Sequence, residues 1–248
     1  MLKVVLGLMI LSLSLFANKI NIAVAANVSY AINDLIKEFN KTNPNTKVQV
    51  TLGSSGKLTA QIKNGAPYNL FMAANMKYPK ALYSQNIAIT KPIVYAQGSL
   101  AILSSKKLDF SKGINLAVDS SIKKIAIANP KTAPYGKAAI EAINHANIYG
   151  EIIDKLVFAE SISQTVTYAL TATDIGFIAK SSLKSTKMIK YKEGINWIEV
   201  DAKLYTPINQ GIVILKNAEN NKEVKAFYDF ILSENAKKIF KEYGYLVP

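Results

Sequence analysis

The stretch Gly53-Ser54-Ser55-Gly56-Lys57-Leu58, continued by Gln61-Ile62 and Gly65-Ala66-Pro67, joins a strand-like run, Val48 to Leu52, to the start of a helical pattern. Two hydroxyls between two glycines at such a junction present side-chain oxygens and backbone N–H groups at a helix N-terminus, which is how a chain holds an anion. The spacing departs from a nucleotide P-loop, because no Gly-Lys-Ser/Thr follows at the required distance.

Outward from this loop the pattern alternates strand and helix. Ile20, Ile22 and Val24 alternate as in a strand, and Val28, Ile32, Leu35, Ile36 and Phe39 recur at helical spacing until Asn43-Pro44. Further strands are predicted at Leu70 to Ala73, in two pieces flanking Gln97-Gly98, and at Lys124 to Ala128, Lys155 to Ala159, Ile175 to Ile178 and Pro207 to Leu215, with helices between them and two more at the end. Such alternation predicts an α/β fold with parallel sheets.

Composition limits the function. The chain opens with Met1-Leu2-Lys3, runs apolar from Val4 to Phe16 and meets Ala17, which reads as a signal peptide over residues 1–17. The run is shorter than the roughly 20 residues a membrane span needs. The product is therefore expected to be exported, soluble and periplasmic. With no cysteine in the chain, disulfides, thiol chemistry and N-terminal lipid attachment are excluded. The formal net charge is +13, yet all 30 basic residues are lysine. Without arginine there is no bidentate reading of phosphates or base edges, so no nucleic-acid partner is expected. The scattered lysines read as a solvated surface whose field draws anions inward.

In α/β sheets ligands bind beyond the carboxyl ends of strands, where helices begin. Four junctions carry suitable residues. Ala25-Ala26-Asn27 offers small residues and an amide that could donate or cap. The serine loop offers Ser54 and Ser55. Pro134-Tyr135-Gly136 offers a preset helix entry and a phenol, and Glu160-Ser161-Ile162-Ser163 offers the backbone donors around Ile162. Each also has a plain structural reading as a cap or turn. Together, uncharged donors and helix N-termini suit a fully ionised oxyanion, whose identity this chemistry leaves open.

These residues resemble a known family. The run from Gly53 to Phe71, Ala25-Ala26-Asn27, the segment Asn129-Pro130 to Gly136, Asp174-Ile175-Gly176-Phe177-Ile178, and the ending Val224 to Phe230 with Ala236 to Phe240 are similar to the periplasmic molybdate-binding proteins, ModA. The resemblance covers essentially the whole chain after residue 17. It implies the type II periplasmic-binding-protein fold, two α/β lobes joined by a two-strand hinge with the ligand in the cleft. The lobes would comprise residues 18–95 with 206–248, and residues 96–205. It implies ligand contacts at Asn27 and Ser55, with Ala26 and Ser54 adjoining, from the first lobe, and at Tyr135 and Ile162 from the second. Many members carry a ligand-touching tyrosine where this chain has Ala179.

The resemblance further implies a monomeric receptor that binds molybdate or tungstate as its oxyanion, carries no cofactor, and delivers to an ABC permease in the inner membrane. Sulfate, phosphate and ferric iron are the alternative cargoes. An enzyme is not expected: His145 is the only histidine, and Ser54 and Ser55 have no evident base.

Overall fold

A computed structural model describes residues 18–248. The expected signal peptide, residues 1–17, lies outside the described residues.

The first lobe is built on β1 (Asn18–Ala25), β2 (Thr46–Gly53), β3 (Leu70–Ala73) and β4 (Ile93–Gly98), with α1 (Ile32–Phe39), α2 (Ser55–Lys63) and α3 (Lys77–Ser84) between them. Ser99 is the crossing residue. The second sheet contains β5 (Leu100–Leu103), β6 (Ile125–Ala128), β7 (Leu156–Ala159), β8 (Ile175–Ala179) and the short β9 (Trp197–Glu199), with α4 (Pro134–His145), α5 (Tyr149–Ile152) and α6 (Ile162–Thr171). The chain then returns to the first lobe as β10 (Ile208–Ile214), α7 (Lys222–Ile231) and α8 (Glu234–Glu242). The strand orders are β2-β1-β3-β10-β4 and β7-β6-β8-β5-β9.

Both sheets are mixed, which corrects the parallel sheets expected from the alternation. β1, β2 and β3 pair in parallel, as do β6, β7 and β8. β10 is antiparallel to both β3 and β4, and β5 is antiparallel to β8 and β9. The exceptions include the connecting strands: a chain that leaves a sheet and later re-enters it comes back without a βαβ crossover, so nothing enforces the parallel sense.

Helices cover both faces of each sheet, so the central strands are apolar runs rather than alternating ones. Ile20, Ile22 and Val24 of β1 join a core with Phe39, Phe227 and Phe240 under α1, α7 and α8, while Ala23 joins Leu58 and Phe71 on the opposite face. Phe39 and Phe227 meet edge to face at 5.0 Å. The second lobe gathers Leu100, Ile102, Ile125, Ile127, Ala139 and Ile143. Side-chain caps start the later helices: Asn221 accepts from the Val224 N–H at 3.0 Å and Ser161 from the Gln164 N–H at 3.3 Å. Among the described residues no helix is long and apolar enough to cross a membrane.

Burial of tyrosines makes the stability of this fold fall in alkali. Desolvation pushes Tyr245 up to about 12 and raises Tyr95 and Tyr135 well above the ordinary phenol value. A raised folded pKa gives stability that is complete below the unfolded value of 10.0 and is lost as pH climbs through the folded value. Tyr245 then contributes up to about 2–3 kcal/mol, and Tyr95 and Tyr135 act in the same direction. The urea midpoint should therefore hold between pH 7 and 9, as far as the tyrosines decide it, and fall steeply above pH 10. Tyr245→Phe should blunt that fall.

Candidate functional site

The carboxyl ends of β1, β2 and β6 and the start of α6 meet between the lobes. There the structure brings all six sequence-predicted residues, Ala26, Asn27, Ser54, Ser55, Tyr135 and Ile162, to one cavity, completed by Ala25, Gly53, Ala74, Ala133 and Pro134. All of these except Gly53 and Pro134 are buried. None is charged. The space open to the centre of a water-sized particle is about 10 Å³, room for a single small occupant.

Each contributing segment puts first-turn N–H groups beside the cavity, where no intrahelical acceptor exists for them. Ser55 and Ile162 are the first residues of α2 and α6, Tyr135 follows Pro134 at the start of α4, and Asn27 lies in the 3-10 turn Ala26–Tyr30. Proline at the first position of α4 presets the helical φ and removes a donor that would have had no partner.

The hydroxyls are arranged unusually. Ser54 holds the N-cap position of α2, where serine ordinarily accepts a bond from the first turn, but it makes no side-chain cap bond. Its Oγ is buried without a hydrogen-bond partner. The Ser55 Oγ accepts from the Ala74 N–H at 2.9 Å, which leaves its own proton to be given elsewhere. The Tyr135 Oη accepts from Gln210 Nε2 at 3.3 Å.

Asn27 departs from expectation. Its Nδ2 donates inside the protein, to Gln210 Oε1 at 2.8 Å and Tyr245 Oη at 3.0 Å, so its amide is committed before any ligand arrives. Its Oδ1 is buried and unpartnered. The residue's remaining donor for the cavity is its backbone N–H. Ala179 ends β8 and is buried without lining the cavity. His145 lies far from this chemistry in role: its Nδ1 bonds the Leu204 carbonyl at 2.7 Å.

The lobes touch on both sides of the cavity. The Gly56 N–H donates to the Thr132 carbonyl at 2.8 Å, and Lys57 pairs with Glu160. Opposite, the Ser181 Oγ donates to the Asn27 carbonyl at 3.2 Å. The Lys57–Glu160 pair is about half exposed and is worth little on its own.

Sequence reasoning missed Ala74, which acts through its backbone N–H and so leaves no side-chain signal. It also missed Gln210, a fully buried glutamine whose only advance sign is a polar residue inside an apolar strand.

Comparison with known proteins places this geometry among relatives. The model for the family described as bacterial extracellular solute-binding protein matches residues 20–246. The molybdate-binding protein ModA of Rhodobacter capsulatus is 34% identical over 240 residues, 95% of this chain and 91% of that protein. The molybdate-binding protein ModA of Azotobacter vinelandii is 32% identical over 246 residues, 98% and 96% respectively. The solved periplasmic molybdate-binding protein of Azotobacter vinelandii superposes with a TM-score of 0.86, covering 92% of this chain and 99% of that one.

Proposed function

The chain belongs to the bacterial extracellular solute-binding proteins, and within them to the ModA group; from that membership and the cavity we propose that it captures molybdate, and tungstate likewise, in the periplasm. The observation that carries this reading is a charge-free, buried cavity ringed by hydroxyls and helix N-termini from both lobes.

A tetrahedral dianion there receives hydrogen bonds from the backbone N–H groups of Asn27, Ser55, Tyr135 and Ile162 and from the hydroxyls of Ser54, Ser55 and Tyr135, with Ala26 packing alongside. The helix N-termini supply partial positive charge without a lysine or arginine that would also welcome singly charged anions. Tyr135 enters as a neutral donor, because burial holds its phenol well above the ordinary value. The metal arrives as cargo within its oxyanion and the reading needs no cofactor.

Capture couples to closure. An anion that bonds to residues of both lobes has higher affinity for the closed state, and that difference drives the lobes together. Residues 18–95 with 206–248 and residues 96–205 are the units proposed to move, with the end of β4, residues 96–98, as part of the hinge between them. The receptor acts as an exported monomer and hands its cargo to an ABC permease, a binding role rather than a catalytic one, which the solute-binding family supports.

Titration calorimetry of residues 18–248 against molybdate, tungstate, sulfate and phosphate tests the reading. Tight binding of the first two alone is expected. A response to sulfate or phosphate alone would change the cargo, and no response to any would defeat the oxyanion reading. Ser55→Ala should weaken molybdate binding by about 1.5 kcal/mol, roughly tenfold, the loss of one hydrogen bond to a charged group. Unchanged affinity in that variant would remove the Ser55 hydroxyl from the site.

A further inference from the structure

Gln210 touches no solvent and lies outside the cavity wall, yet its carboxamide meets three polar side chains at once. It sits on β10, a strand next to the lobe crossing, at an irregularity in the pairing with β4 between Gln210 and Gly211. Its Oε1 accepts from Tyr95 Oη at 2.8 Å and from Asn27 Nδ2 at 2.8 Å. Its Nε2 donates to Tyr135 Oη at 3.3 Å, and Gly98 supplies the space in which the two meet.

The orientation of this amide follows from its neighbours. Tyr95 Oη lies 2.8 Å from the Gln210 carboxamide and 3.5 Å from the Ala73 carbonyl, so its short bond is the one to the glutamine. Tyr245 Oη gives its proton to the Asn27 carbonyl at 2.9 Å and so accepts from the Asn27 side chain, which places the Asn27 NH2 there. With that NH2 also donating to Gln210, the glutamine oxygen must face it and the glutamine NH2 must face Tyr135. A hydroxyl that accepts from an N–H on one side keeps its proton for another direction.

We propose that Gln210 is a positioning residue that orients the Tyr135 hydroxyl, so that the phenol enters the cavity as a donor and never as an acceptor. This deepens the oxyanion reading of the site. With the polarity reversed, a phenol oxygen would face the anion lone pair to lone pair. Gln210 also joins Asn27 of the first lobe to Tyr135 of the second through the returning strand, so the donor set is correct only when the lobes are closed.

The test is a double-mutant cycle on the chain from residue 18 onward, with sodium molybdate as the probe and calorimetry as the readout. Gln210→Met, similar in length and without the amide, is expected to weaken binding about tenfold in the wild-type background and less than about threefold in Tyr135→Phe. Equal losses in both backgrounds overturn the proposal. A second reading needs no ligand: the side-chain amide 15N–1H signals of Gln210 should shift in Tyr135→Phe and stay put in Ser55→Ala. Failure of the Tyr135→Phe shift overturns the proposal whether or not molybdate binds. If the wild type ignores molybdate while the amide signature is present, the oxyanion reading falls and the preset hydroxyl stands. Gln210→Glu serves as the alternative variant should the methionine chain fail to fold; loss of binding confined to the background that retains Tyr135 is again the expected result, and equal loss in both overturns it.

Discussion

Gly98→Ala is expected to lower molybdate affinity by more than a hundredfold, about 3 kcal/mol, while leaving both lobes folded. A methyl carbon on residue 98 would stand 1.9 Å from Tyr135 Oη, 2.9 Å from Tyr135 Cζ and 2.8 Å from Gln210 Nε2. The glycine ends β4 in the first sheet, beside the lobe crossing, whereas the tyrosine is the second residue of α4, packed on the second sheet, so the severest collision falls where α4 approaches the crossing strand. The phenol is buried, and the space it could retreat into is the cavity itself. Either the lobes stay apart or Tyr135 leaves its place, and in both cases the cavity loses one wall. Calorimetry with molybdate and a thermal melt without it separate the two quantities. Wild-type affinity in this variant would mean that ligand is not held with Tyr135 against Gly98.

Gly136→Ala should instead act within one lobe, lowering stability by about 3 kcal/mol or more, at the upper end of overpacking effects. Here the added carbon meets the backbone: the Ala128 carbonyl oxygen at 2.0 Å and its carbon at 2.6 Å. Backbone at the end of β6 cannot rotate aside as a side chain can. The first turn of α4 would have to lift from the strand it caps, taking Ala133, Pro134 and Tyr135 with it. Chemical denaturation should show the loss directly, and an unchanged midpoint would contradict the close approach of α4 to β6.

Much of this was legible in the sequence, for identifiable reasons. The serine loop stood out because glycines and hydroxyls mark a strand-to-helix junction, and β3 appeared at Leu70 to Ala73 because a short, fully buried strand is a continuous apolar run. All six residues read as a site lie on the cavity. The sense of the strands was not legible, since local pattern records burial and says little about direction. β9 escaped notice because three residues on a sheet edge carry too little periodicity. Asn27 was read as a ligand donor, yet its amide is held by Gln210 and Tyr245, residues 183 and 218 positions away, which no window of sequence spans. Gln210 itself shows only as a polar residue in Ile208–Ile214. What the sequence lacked in each case was a contact between distant segments.

The enclosure of the cavity governs time as well as affinity. With its wall buried on nearly every side, an occupant has no way out between packed side chains, and in the proposed cycle it leaves when the lobes part. Its residence time is then the waiting time for opening, and every bond to the anion and every contact across the cleft lengthens the same wait. Arrival is different in that cycle, because the anion would meet an open cleft at a rate set by diffusion and by the positive field of the lysines. Unloading would then require no competitor for the anion: a partner holding the lobes apart would take away at once the three proposed donors of Tyr135 and Ile162.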